Sequence, residues 1–285
     1  MDYILVTSAT LLLAFEFAFS KKYQALEGVS MSAGLRFNAL SGLLSALFMW
    51  VLAGFRLEWS AFSCVLALSM SLCAMSYSLL SFQVLKTGGM ALYSTFLMSG
   101  GMMLPYVFGV LFLNEPITTA RLMGLLAVLL GVILSNFNWN KANKKLLLLC
   151  CVVFLLNGLV SILSKCHQIT HTYPTVSSAS FAMYSGLGKL LFSTIALLCC
   201  KPVHVTMQRK DSLGVVAGAA VIGGLSYLLQ LIGARTLPAT ALYPIVTGGS
   251  IIFSAISGKV FFKEKLSRQQ IYGIVFCFIG TLLFL

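Results

Sequence analysis

Apolar residues run almost unbroken through this chain, and the polar ones gather in short clusters between the runs. A membrane-crossing helix needs about 20 mostly apolar residues. Ten segments meet that length, near 3–20, 31–53, 60–83, 89–113, 118–136, 144–165, 175–200, 212–235, 238–262 and 267–285. They do not alternate every second residue, so helices are predicted and barrel strands are not. Joints such as Arg235 to Pro238, or Asn114-Glu115-Pro116-Ile117, force antiparallel neighbours. The predicted class is an all-α membrane protein with ten transmembrane helices.

The pattern also repeats. Ser76-Tyr77, Ala91-Leu92-Tyr93, Glu115, Gly124 and Gly131 recur as Ser226-Tyr227, Ala241-Leu242-Tyr243, Glu264, Gly273 and Gly280, at offsets of 150 and then 149. An upstream echo, Ser20-Lys21 with Ser164-Lys165, has an offset of 144. The polar connection from Asn136 to Lys145 divides the chain into two units, 1–140 and 141–285, of five spans each. Five is odd, so the second unit enters the membrane from the opposite side and the repeats are inverted. Such repeats are the usual mark of a transporter, whose halves rock about a site held between them.

Composition closes off other classes. The chain is 59% hydrophobic and 9% charged, with a mean hydropathy of +0.96, where a soluble domain carries about 25% charge. A net charge of +12 would suggest nucleic acid in a soluble protein. Here the basic residues line short loops, which excludes that partner and points to membrane orientation. Twelve fall in one set of alternate loops, against Arg56, Arg121, Lys165 and Arg235 in the other. That asymmetry places the richer set in the cytoplasm and both termini outside. The N-terminus lacks the basic region and cleavage site of a signal peptide, so the first span is retained. The eight cysteines show no CxxC and no metal spacing, so no metal is expected.

Charges within spans need a reason, because each costs roughly 2.5–3.5 kcal/mol at the membrane centre. Lys189 is the deepest, 11 residues before Cys200, or about 16 Å from the nearer end at 1.5 Å per residue. Its ammonium must face the bundle interior, as counter-charge to an anionic substrate or as structural partner to Glu16 or helix carbonyls. Glu16 is the acidic residue well inside a span, suited either to proton or substrate handling or to a paired structural role. The repeated Tyr77, Tyr93, Tyr227 and Tyr243, with Asn157 and Gln230, are cavity-lining candidates, the tyrosines having interface anchoring as the alternative. Pro105 and Pro244 occupy counterpart spans and are expected to kink them toward a cavity. Glu115 and Glu264 stand at turns, where each is expected to cap the helix that follows. Glycine pairs, such as Gly100-Gly101 and Gly223-Gly224, permit close helix packing.

An enzyme would need converging acid and base groups. The chain offers three histidines outside the span centres and only Asp2 and Asp211, so no catalytic residue and no cofactor are predicted. No nucleotide-binding P-loop is present either.

These residues resemble the drug/metabolite transporter superfamily in its ten-helix EamA-type branch. The resemblance rests on Lys21 and Lys165 ending the first span of each half, and on Arg36-Phe37 in the second span. It also rests on the acidic turns at Glu115 and Glu264 with their trailing glycines. It implies a secondary transporter exporting a small metabolite, amino acid or drug, in the bacterial inner membrane, with a central cavity and peripheral fifth and tenth helices. It also implies termini in the cytoplasm, against the charge count, which is preferred for this chain. Ala14-Phe15-Glu16 looks similar to the acidic site of the small multidrug resistance proteins, which implies proton coupling as one option. A homodimer is a further option. The other functions compatible with such a fold are a flippase for a lipid-linked carrier and a non-transporting sensor.

Overall fold

The computed structural model describes residues 2–86, 90–135, 144–199, 211–263 and 266–284. Glu264, Gly88-Gly89 and the boundary between 140 and 141 lie outside the described residues. Among the described residues run ten helices: α1 Asp2–Glu27, α2 Met31–Leu52, α3 Ala61–Lys86, α4 Met90–Phe112, α5 Thr119–Ser135, α6 Lys144–Ile169, α7 Ser178–Cys199, α8 Asp211–Thr236, α9 Ala239–Phe262 and α10 Arg268–Leu282. Eight are long and apolar enough to cross a membrane. The other two fall short of the full spans expected for them, since α5 has 17 residues and α10 has 15. At 1.5 Å per residue they reach about 25 and 22 Å, against a hydrocarbon core of about 30 Å. Leu68, Leu72, Leu155 and Phe278 are exposed, an outer surface suited to lipid.

The first helix runs seven residues beyond its predicted end at 20. Lys21-Lys22 lies inside the helix, because Lys, Gln, Ala, Leu and Glu are all good helix formers. The helix stops at Gly28, whose φ of +82° admits a turn closed to other residues. Ser30 then starts α2 by accepting the N–H of Ala33 at 3.1 Å.

Most packing joins the first five helices to the last five. Helix α2 lies against α7, α1 against α8 and α9, α6 against α3 and α4, and α5 against α10. Repeat glycines make two of these seams. A Cβ on Gly131 would stand 2.7 Å from the Gly273 carbonyl, and one on Gly280 2.8 Å from the Gly124 carbonyl. Ascending numbers on α5 therefore meet descending numbers on α10, so the pair is antiparallel. Gly42 and Gly186 make the same close approach between α2 and α7, at 2.8 and 2.9 Å.

The residue that opens each repeated acidic turn has the same conformation in both places. Asn114 and Lys263, counterparts in the repeat, are both left-handed, with φ of 52° and 53°. Each turn returns a backbone N–H to a counterpart glycine: Glu115 to Gly109 at 3.0 Å, and Lys263 to Gly258. This is the left-handed close of a helix that satisfies its last carbonyls.

Glu115 corrects an expectation. Its carboxylate does not cap α5, the next helix, but accepts the N–H groups of Ala239 and Thr240 at 2.7 and 2.8 Å, at the start of α9. The tertiary fold brings that helix end, with its exposed donors and positive dipole, to the turn. Lys165 is likewise no loop charge. It is buried and donates to the carbonyls of Ala234 and Leu237 at 2.7 and 2.6 Å, closing the end of α8.

Candidate functional site

A cavity of about 590 Å³ lies at the centre of the bundle, walled by α1, α2, α3, α4, α6, α7, α8 and α9. Its size falls within the range of small-molecule sites. Seven of the sequence candidates line it: Glu16, Tyr77, Asn157, Lys189, Tyr227, Gln230 and Tyr243. They come from six helices and from both halves, so the fold gathers residues up to 227 positions apart.

Three candidates stand elsewhere. Tyr93 is buried in a cluster with Cys150 and Val153, its hydroxyl directed at the Tyr77 carbonyl at 3.4 Å. Its repeat partner Tyr243 instead reaches the Ser161 carbonyl at 2.5 Å on the cavity wall. Pro105 and Pro244 are buried and do not line the cavity. On α9 the cavity stripe is Leu242, Tyr243, Val246, Thr247 and Ser250, and Pro244 lies about 100° around the helix from Tyr243. On α4, Pro105 continues the stripe of Leu97 and Gly101 one turn past the cavity's edge. Its effect there is indirect. Lacking an N–H, it leaves the carbonyl of Gly101, a wall residue, without a helical donor.

Neutral polar groups on the wall are largely held by the protein itself. Asn157 donates to the Leu97 carbonyl at 2.7 Å, beside Gly101, where a Cβ would stand 2.6 Å from the amide nitrogen. Gln230 donates to Ser226 at 3.2 Å, and Ser226 donates to the Ala9 carbonyl at 2.7 Å. Tyr227 and Ser164 pair at 3.5 Å.

The charged groups are different. Glu16 leaves α1 toward α8 and lies against Gly223, where a Cβ would stand 2.4 Å from the carboxylate carbon. Lys189 leaves the crossing of α2 and α7 beside Gly42, its ammonium 5.9 Å from the Phe37 ring. The two are near enough to interact electrostatically. Among the described residues, however, neither makes an ion pair within 4.0 Å or a hydrogen bond. An acid and a base thus face one cavity with neither a hydrogen bond nor a close ion pair among the described residues.

Polar bonds also tie the two halves together away from the cavity. The backbone N–H of Ser177 donates to Glu58 at 2.5 Å, and that bond holds the Glu58 carboxyl below its usual value. Ser60 donates to the Pro174 carbonyl at 2.5 Å. Ser63 meets His167 at 2.9 Å, and the imidazole stacks on Phe181 with ring centres 3.6 Å apart. Sequence reasoning missed this cluster because the partners are 104 or more residues apart. It also missed the buried Glu27, which sits 4.0 Å from Arg36 and accepts from Ser212. The signal lay in α1, whose helix-forming run past Lys22 carries Glu27 inside.

The EamA-like transporter family model matches residues 144–285, the five helices from α6 to α10. Through this second half, the chain belongs to the EamA-like transporter family. The transporter is therefore a multi-pass membrane protein, and the bilayer and a small-molecule substrate are its partners. No curated protein matches the sequence. A crystal structure described only as that of a protein superposes with a TM-score of 0.79 at 14% identity. The alignment covers 99% of this chain and 95% of that one, a likeness of fold alone.

Proposed function

We propose that this EamA-like protein is a secondary transporter that exports a small metabolite, amino acid or drug by alternating access between two inverted halves. The observation that carries the proposal is the central cavity, walled by both halves and holding Glu16 and Lys189. Charge at that depth is expensive and marks substrate or ion pathways by default.

Two features support inverted halves. The antiparallel glycine seam of α5 and α10 is what opposite insertion requires. The most extensive helix pairings also map onto themselves when each helix is exchanged for the one five places on. The contact of α1 with α8 becomes that of α6 with α3, and α1 with α9 becomes α6 with α4. The pairs α2 with α7, α4 with α9 and α5 with α10 are unchanged. A two-fold arrangement of this kind gives two related packings, one open to each side, for rocking.

Flux in proteoliposomes tests the proposal. Purified protein should carry at least one compound from a panel of amino acids, organic acids and cationic drugs without ATP. Ser45→Trp, which plugs the cavity wall, should stop it. Correctly folded protein that moves none of them would refute transport, and flux undiminished by Ser45→Trp would refute the cavity as its route.

A further inference from the structure

We infer that the cargo is a zwitterion, a small molecule carrying an ammonium and a carboxylate, with Glu16 receiving the first and Lys189 the second. The inference rests on the transporter proposal and narrows it to one chemistry.

Other charged groups within the bundle are answered by the protein. Lys165 has two carbonyls, Glu115 two backbone N–H groups, and Glu27 has Arg36 and Ser212. Glu16 and Lys189 have no such partners among the described residues, although both line one cavity. A buried charge without a hydrogen-bonding partner is unfavourable, and a ligand that meets both groups relieves that cost. A purely cationic cargo would satisfy Glu16 and leave Lys189 beside an added like charge. A purely anionic cargo would do the reverse. A zwitterion answers both and adds no net charge to a low-dielectric space.

The supports of the two groups fit this division. Glu16 is held at the contact of α1 with α8, and Lys189 at the crossing of α2 with α7. They reach the cavity from separate helix pairs, and both line its wall. Apolar wall residues such as Leu13, Met70 and Val246 would receive the ligand's body. Ser45, Ser78 and Tyr77 add neutral polar groups on the same wall. Neither charge has a repeat counterpart of the same sign, since Glu16 matches Val160 and Lys189 matches Ser45 at the upstream offset of 144. A ligand with two unlike ends calls for such unlike halves.

Matched probes test the inference. One series is phenylalanine, phenylalaninamide and 3-phenylpropionate; a second is leucine, leucinamide and 4-methylpentanoate; a third is 4-aminobutyrate, butylamine and butyrate. Binding to the purified full chain is measured by thermal-shift titration. In at least one series the zwitterion should bind about tenfold or more tightly than both single-charge analogues, the worth of one charge-assisted hydrogen bond. Glu16→Gln should abolish discrimination against the acid, and Lys189→Gln against the amide, each leaving the other preference intact. The wild-type comparison stands even if a variant fails to fold. Single-charge analogues that match or exceed the zwitterion in every series, or no zwitterion binding, overturn the inference. Flux of the same compounds separates the two proposals. Transport restricted to single-charge compounds sinks the zwitterion and keeps the transporter, while zwitterion binding without flux does the opposite.

Discussion

Replacing Gly223 with alanine should weaken ligand binding while leaving the fold nearly as stable. The added Cβ would stand 2.4 Å from the Glu16 carboxylate carbon and 2.6 and 2.7 Å from its oxygens, where ordinary contact is 3.4–4 Å. The carboxylate must therefore retreat by about 1.0 Å, the difference between 3.4 and 2.4 Å. It sits at the end of a rotatable side chain bordering a cavity, so the move costs about 0.5–1.5 kcal/mol of rotamer strain. A charged hydrogen bond stretched by that distance is lost, forfeiting roughly 1.5–3 kcal/mol. The dissociation constant of the tightest ammonium-bearing ligand should rise about 10- to 150-fold. Binding is read by thermal-shift titration, and stability by the unfolding midpoint of the ligand-free protein. Unchanged affinity in a folded Gly223→Ala protein would refute the placement of Glu16 in the binding site.

Three further outcomes follow from the packing. Glu115→Ala should lower stability by about 2–4 kcal/mol, because it strands the buried N–H groups of Ala239 and Thr240. Glu115→Gln, which keeps one acceptor, should cost less in the same unfolding measurement. Gly131→Ala should destabilise by about 1–3 kcal/mol through overpacking, since its Cβ would meet Gly273 and Cys277 backbone at 2.7 and 2.8 Å. Ligand affinity should hold there, the reverse of Gly223→Ala. Glu58 is depressed below its ordinary 4.5 by the Ser177 N–H. Its contribution is therefore complete above that value and is lost as pH falls through the lower folded value. An unfolding midpoint followed from about pH 6 to about pH 3 should fall less steeply for Glu58→Gln than for wild type.

Patterns within one helix were readable from the sequence, and patterns between distant helices were not. The apolar runs located ten helices because burial and lipid impose their period locally. The repeated glycines and the turns at Asn114 and Lys263 were visible because each motif is built from adjacent residues. Glu115 was assigned to the neighbouring helix because nothing local reveals that α9 begins beside it. His167 escaped notice for the same reason, since Ser63 comes from another half of the chain. At the site, depth alone marked Lys189 and Glu16, as length and charge sufficed to rule out an aqueous surface. The tyrosines were harder. Tyr93 and Tyr243 share a repeat position, yet one packs against α6 residues and the other lines the cavity. Proline marked the right helices and missed the wall, because helical phase and depth both decide which side chain reaches it.

Alternating access can be read from a single cysteine at Ser45, on the cavity wall, in a background with the native cysteines replaced. A membrane-impermeant maleimide is applied to sealed vesicles from one side or the other, with and without transported ligand. Two related halves rocking about the cavity should expose the cysteine to each side in turn, and ligand should shift the balance between them. Labelling from one side alone under every condition would contradict it.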